Sequence, residues 1–148
     1  MYLCIRYDNR CAEMNNGSVV DKTIITQQKD IVMSFSSREE FLDLLVMNPG
    51  FIVVKFGADW CGPCGRIRAE VSDFFARCPE TVICCDINVD ESSDLYAFMK
   101  RKKMITGVPV IMVWKSGNIE YAPDYSYVGA DKAGLAQFVN MMLSTFSV

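Results

Sequence analysis

The chain contains no histidine. That removes the side chain most often used as a general base near neutral pH and the usual partner of cysteine in zinc sites. A basic excess is missing too: 15 lysines and arginines face 18 aspartates and glutamates, for a net charge of −3. Proteins that bind nucleic acid generally carry a basic patch or stripe, so no nucleic-acid partner is expected. No apolar run approaches the roughly 18 residues that a membrane helix needs, so no membrane partner is expected either. At the N-terminus Arg6, Asp8 and Arg10 interrupt the chain before an apolar h-region can form, which argues against a signal peptide. Seven cysteines is an odd number, and Cys84 and Cys85 are adjacent in an apolar run where neighbouring side chains point to opposite faces. This is unlike a disulfide framework and places the chain in a reducing compartment, the cytoplasm. What is present is 148 residues, 51% of them hydrophobic, enough for a single core.

The chemistry-bearing stretch is Trp60-Cys61-Gly62-Pro63-Cys64. Before it, Phe51-Ile52-Val53-Val54-Lys55-Phe56 reads as a buried strand; after it, Ile67, Val71, Phe74, Phe75 and Cys78 recur at helical spacing. Cys61 then falls at the first turn of a helix. Unpaired backbone N–H groups and the positive end of the dipole there favour a thiolate over a thiol, and cysteines so placed have pKa values of roughly 3.5–7.5 instead of about 8.5. Pro63 suits the first helical turn, where a missing N–H costs nothing. Cys64, one turn further in, is placed to reach the first sulfur but not solvent, as a resolving thiol must be. Cys61 is therefore assigned as the attacking sulfur and Cys64 as the resolver. Both electrons end on a redox-active Cys61–Cys64 disulfide, and no bound cofactor or metal is implied. The other reading of a C-x-x-C pair, half of a zinc or iron–sulfur site, needs two more ligands, and only Cys84 and Cys85 are on offer.

The pentapeptide after a central strand resembles the active-site segment of the thioredoxin family, and the resemblance runs from about Asp30 to Phe146. Gly107-Val108-Pro109 before an apolar strand is similar to the family's cis-proline segment, and Val128-Gly129-Ala130 before the last helix to its glycine turn. The resemblance implies an α/β thioredoxin fold, with a central mixed sheet flanked by helices on both faces. It implies a protein-disulfide reductase acting on disulfide-containing proteins and recharged by a thioredoxin reductase or a glutathione system. It also implies a docking surface in which Trp60, Gly107, Val108, Pro109, Gly129 and Ala130 ring the exposed sulfur, while Gly62 and Pro63 bias the pair toward reduction. Val108 would offer its backbone to an extended substrate strand, and Gly129 would let that strand come close. Two alternatives stay open: a disulfide oxidase or isomerase, and a binding module that uses the fold without redox chemistry.

Several residues depart from the family's pattern. Lys55 stands where the family has a buried aspartate below the sulfurs, and Asp86 where it has a lysine, so the charge pair is exchanged. A buried lysine needs its partner, and Lys55 with Asp86 is read as a catalytic pair. A charged Lys55 would favour the Cys64 thiolate and a neutral one would act as a base; a purely structural ion pair is the alternative. Gly57 replaces a larger side chain beside the site. Ala69 replaces a proline that kinks the active-site helix, which predicts a straighter helix. Gly65 replaces a basic residue and weakens local helix propensity by about 1 kcal/mol relative to alanine.

Elsewhere the chain reads as scaffold. Residues 1–29 form an N-terminal extension, loosely ordered, with short strands conceivable at Tyr2–Ile5 and Thr23–Thr26 and two further thiols, Cys4 and Cys11. Residues 30–148 form the thioredoxin-like domain. Ile31, Met33 and Phe35 alternate as a half-buried strand, and Ser36 or Ser37 with Glu39 or Glu40 makes a capping box for a helix bearing Phe41, Leu44 and Leu45. Val82–Val89 reads as a strand covered on both faces, and Ser92 or Ser93 caps a helix carrying Leu95, Phe98 and Met99. The basic run Lys100-Arg101-Lys102-Lys103 complements that helix's C-terminus. Val110–Trp114 should turn at Ser116-Gly117-Asn118 into a partner strand near Ile119–Tyr121, with Ala122–Tyr127 as a loop by the site. The last helix presents Leu135, Phe138, Val139, Met142 and Phe146 on one face.

Overall fold

A computed structural model describes residues 29–147. The expected strands at 2–5 and 23–26, and the thiols Cys4 and Cys11, lie outside the described residues. Among the described residues the order is β1 (Ile31–Val32), α1 (Arg38–Val46), β2 (Phe51–Gly57), α2 (Gly62–Arg66), α3 (Arg68–Arg77), β3 (Val82–Asn88), α4 (Ser93–Arg101), β4 (Val110–Lys115), β5 (Tyr125–Val128) and α5 (Lys132–Phe146). The five strands lie in the sheet in the order β1-β3-β2-β4-β5. β1, β3 and β2 run parallel, β4 is antiparallel to β2, and β5 is antiparallel to β4. The fold is the expected α/β thioredoxin fold with a mixed sheet.

β2 is apolar at almost every position, so it cannot face water on either side. Its alternation divides the core in two. Ile52, Val54 and Phe56 pack with Phe41 and Leu45 of α1 and Leu95 and Met99 of α4. Val53 packs with Val71, Phe74 and Phe75 of α3 and Leu135, Val139 and Met142 of α5. The adjacent thiols Cys84 and Cys85 fall into opposite layers, as strand geometry requires.

The capping box forms around Ser37 and Glu40. The Ser37 hydroxyl accepts from the Glu40 N–H at 3.2 Å, and the Glu40 carboxylate accepts from the N–H of Ser36, one residue further out than the Ser37 N–H of a reciprocal box. Ser92 takes the N-cap position of α4, but its hydroxyl instead accepts from the Phe35 N–H at 2.8 Å, which ties the segment after β1 to α4.

Three expectations are corrected. The first strand stops at Val32, and Met33 is exposed, because only Ile31 and Val32 find partners on β3. The strand beyond the turn is Tyr125–Val128, not Ile119–Tyr121. The intervening residues are consumed by a side-chain-stabilised turn in which Asn118 donates to the Ala122 carbonyl and the Asp124 carboxylate, and the Trp114 indole donates to the Glu120 carbonyl. The active-site helix is not straight: α2 ends at Arg66 and α3 begins at Arg68. No proline is needed for the break. Cys64 packs into the α1 and α4 layer, whereas Ile67, fully buried, packs into the α3 and α5 layer, so the chain must turn between them. The break falls at Ile67, which is the C-cap of α2 and the N-cap of α3.

Phe41 meets Phe35 and Trp114 edge to face, with ring centroids 5.3 and 5.0 Å apart, and is fully buried. Phe41→Ala is expected to lower the unfolding free energy by about 3–5 kcal/mol, read as a fall in the urea midpoint at unchanged m-value.

Candidate active site

β2 delivers the chain to Ala58, and a turn closed by the Cys61 N–H donating to the Ala58 carbonyl at 3.2 Å sets up α2. Cys61 is the N-cap of α2, and Pro63 lies in its first turn. Cys61 and Cys64 are free cysteines, 9% and 3% exposed as residues, so Cys61 is the less covered of two largely covered side chains. The Cys61 thiol faces the Val108 carbonyl oxygen at 3.7 Å. The Val108–Pro109 peptide is cis, and the Pro109 carbonyl accepts from the Gly129 N–H at 3.0 Å. Gly129 has φ +117°, a conformation that L side chains rarely adopt, so a glycine is required there. The motif, the Gly107–Pro109 segment and Gly129 thus converge around Cys61. Ala130, next in the chain, packs against the α3 and α5 layer instead. Gly62 and Gly107 have open space where a Cβ would stand, which leaves the outer face unobstructed. Trp60 is 68% exposed, and its indole N–H donates to the Asp90 carboxylate at 3.0 Å.

Asp90 is a site residue that the sequence alone does not disclose. Its local signal is Asn88-x-Asp90 at the end of β3: the Asn88 side chain accepts from the Asp90 N–H at 2.9 Å and donates to Asp59 at 3.3 Å. Such Asx turns are readable locally, but the contact to Trp60 is not.

Burial pushes the Cys64 thiol up from its ordinary value, and a hydrogen bond with Cys61 adds to the effect; the Ala58 backbone and the positive charge of Lys55 act in the opposite direction. The protonated thiol is therefore the favoured form of Cys64 at neutral pH. Cys84 and Cys85, the only further ligands a metal reading had, lie on opposite faces of the sheet and do not jointly complete a site with the motif.

The exchanged charge pair is formed. Lys55 and Asp86 are directly registered partners on β2 and β3, and Lys55 Nζ lies 3.2 Å from Asp86 Oδ1. The Lys55 side chain is 10% exposed and that of Asp86 37%, so the amine is buried and the carboxylate reaches toward water. A Cβ built on Gly57 would stand 2.8 Å from Lys55 Nζ and 3.4 Å from Cys64 Sγ, so both groups border the space that a side chain at 57 would fill. Lys55, Gly57, Cys64, Arg68 and Asp86 line a cavity of about 260 Å³ at the carboxyl ends of the parallel strands. Asp86→Asn leaves a buried ammonium without its counter-charge and is expected to cost about 1–3 kcal/mol, less than a fully buried pair because Asp86 is partly solvated. Lys55→Met removes the buried charge and is expected to stay within about 1 kcal/mol of the parent. Denaturant unfolding of the two variants checks the asymmetry.

Residues 32–141 match the family model described as Thioredoxin. The chain is 30% identical over 112 residues to Thioredoxin 1 of Plasmodium falciparum, covering 74% of this chain and 95% of that protein. It is 37% identical over 93 residues to a thioredoxin of Pseudomonas aeruginosa, covering 62% and 78% of the two chains. Among solved structures, Plasmodium falciparum thioredoxin aligns with a TM-score of 0.56 at 25% identity, over 74% of this chain and 98% of that one. Trichomonas vaginalis thioredoxin, at 23% identity and TM-score 0.59 over 76% and 96%, shares the fold. With a dithiol seated between a cis-proline segment and a glycine turn, and with this span of similarity, the chain belongs to the thioredoxin family of disulfide oxidoreductases.

Proposed function

We propose that the protein is a dithiol reductase of protein disulfides, working in a reducing cytoplasm. The observation that carries this reading is the arrangement of the two sulfurs: Cys61 at the Val108 carbonyl beside exposed Trp60, with Cys64 buried behind it. The Cys61 thiolate attacks one sulfur of a substrate disulfide, forming a mixed disulfide and releasing the other substrate sulfur as a thiolate that takes a proton. Cys64 loses its proton and attacks Cys61 Sγ; the second substrate sulfur leaves and is protonated, and the Cys61–Cys64 disulfide remains. The backbone of Val108, with Gly107, Pro109 and Gly129, positions an extended substrate segment, and Trp60 covers it. Gly62 and Pro63 keep the two sulfurs one helical turn apart. A thioredoxin reductase or a glutathione system returns the electrons.

Lys55 is the electrostatic partner of resolution. Its positive charge favours the Cys64 thiolate, and Asp86 keeps that charge in place. Since burial raises the Cys64 thiol, the thiolate fraction at neutral pH is small and resolution accelerates as pH rises. Removing the Lys55 charge raises that thiol further and moves the profile to higher pH.

Insulin reduction tests the activity. Cys61→Ser is expected to abolish it, and Cys64→Ser to trap a mixed disulfide on Cys61; activity retained in Cys61→Ser would refute the reading. In Lys55→Met, single-turnover release of substrate from the mixed disulfide is expected to slow at neutral pH and recover at alkaline pH, whereas a purely structural pair would leave the pH profile where it was.

A further inference from the structure

A second pair of thiols, Cys78 and Cys84, lies at the far end of α3 from the motif. Cys78 is the C-cap of α3, and Cys84 lies in β3, opposite Val53 of β2. Between them the chain reverses through a turn in which the Val82 N–H donates to the Pro79 carbonyl at 3.0 Å. Strand alternation then sends the Cys84 side chain into the α3 and α5 layer, where Cys78 also packs. Both cysteines are free, and their thiols are hydrogen-bonded to each other. Cys84 is fully covered, whereas Cys78 lies at the rim of the layer and is 8% exposed.

A cation is fixed beside them. Lys29 Nζ donates to the Cys78 carbonyl at 3.3 Å and to the Pro79 carbonyl at 2.8 Å, which anchors it at the C-terminal end of α3, and it also hydrogen-bonds the Cys84 sulfur. Thiols packed only as small apolar groups need no such charge. An ammonium next to a thiol favours the thiolate. The hydrogen bond with Cys78 draws the Cys84 thiol below its ordinary value against the effect of burial, and the Lys29 charge adds to it. The same hydrogen bond, together with burial, pushes the Cys78 thiol up. These are the two steps of one coupled pair, in which the first proton leaves readily and the second is held. The proton that stays lies between the sulfurs, so the charge is shared with Cys78 at the rim.

We propose that Cys78 and Cys84 are a second redox-active pair, closed to a disulfide by a hydroperoxide, with Lys29 as its positioning residue. The site is independent of exchange at Cys61 and Cys64. With hydrogen peroxide, the pair first gives up one proton to solvent, and the charged Cys78 sulfur attacks a peroxide oxygen. The O–O bond breaks, Cys78 becomes a sulfenic acid, and the departing hydroxide takes up a proton as water. Cys84 then loses its proton and attacks the Cys78 sulfur; the S–O bond breaks, and hydroxide again leaves and is protonated to water. Two thiols have lost two electrons, one peroxide has become two waters, and a disulfide joins the end of α3 to β3. Cys78 stands beyond Arg77, the last helical residue of α3, so the sulfur that moves belongs to a helix end. Cys85 faces the opposite layer, fully buried, and burial pushes its thiol up, so it stays reduced.

The test uses the full, unsubstituted chain. It is treated with hydrogen peroxide, unfolded in iodoacetamide, and digested with trypsin and a glutamyl endopeptidase that cuts after Glu80, between the two cysteines. The peptides bearing Cys78 and Cys84 are expected to stay joined until dithiothreitol separates them, with Cys85 alkylated. Cys61 and Cys64 fall on another tryptic peptide, so their oxidation is read separately and does not bear on this pair. Alkylation of both Cys78 and Cys84, a sulfinic acid on Cys78, or a bond from either to any other cysteine would overturn the proposal. Lys29→Met is expected to raise the first proton loss of the pair, slowing closure about threefold near neutral pH and approaching the parent rate at alkaline pH, while Lys29→Arg keeps the parent profile. A profile unmoved in Lys29→Met would overturn the part assigned to Lys29.

Discussion

β2 must be covered on both faces, and most of the molecule is a consequence of that. It is hydrogen-bonded to β3 on one side and β4 on the other, in continuous register over nearly its whole length. Its apolar side chains alternate between two helix layers, so α1 and α4 are required on one face and α3 and α5 on the other. A strand held this rigidly fixes the position of the residues that come directly after it. The dithiol is reached within a few residues, on a short turn closed by the Cys61 and Ala58 backbones. The reactive sulfur thus inherits its precision from the core, as a site on rigid elements does.

The break at Ile67 belongs to the same constraint. The helix after β2 has to bury Cys64 in one layer and Ile67 in the other. A continuous helix would hold the two side chains on nearly the same face, three residues apart. The turn resolves that conflict and leaves Cys61 at the rim of the sheet with Cys64 behind it. Different exposure of two cysteines so near in sequence is a consequence of packing, and the division of labour proposed for them would follow from it.

Much of this is legible in the sequence because the relevant signals are local. The apolar run of β2, the C-G-P-C spacing, the helical repeat of α5 and the Ser37–Glu40 box each announce themselves within a few residues. The motif segments Gly107–Pro109 and Val128–Ala130 are readable as a pair only through resemblance, since their meeting around Cys61 is a matter of sheet order. The features that sequence does not disclose are non-local. Ser92 looks like a helix cap, but its hydroxyl is claimed by the Phe35 backbone from the far side of β3. The hairpin register differs from the expected one because Asn118 and Asp124 bond to each other across a turn that has no simple sequence signature. Met33 fits an alternating pattern, but the pairing of β1 with β3 ends at Val32 although β3 runs on to Asn88, and a pattern alone does not say where a ladder stops. Asp90 lies on a turn that local rules recognise, yet its use is to hold an indole thirty positions away.

The departures at Lys55, Asp86 and Gly57 look independent in the sequence and are one adjustment in space. A lysine carries its charge two bonds further from the backbone than the aspartate of the family's pattern, so from the same position that charge does not sit in the same place. The register of β2 on β3 sets Asp86 directly across from it, and the amine reaches that carboxylate at 3.2 Å. In doing so it occupies the space beside residue 57, where a Cβ would approach Nζ to 2.8 Å. A side chain of ordinary size at 57 would push the amine away from its counter-charge or into Cys64. Glycine at 57 therefore accommodates the exchanged pair, and it also leaves the resolving sulfur facing a cavity. Lysine at 55 and glycine at 57 thus go together, because the amine that reaches Asp86 takes the space that a side chain at 57 would fill.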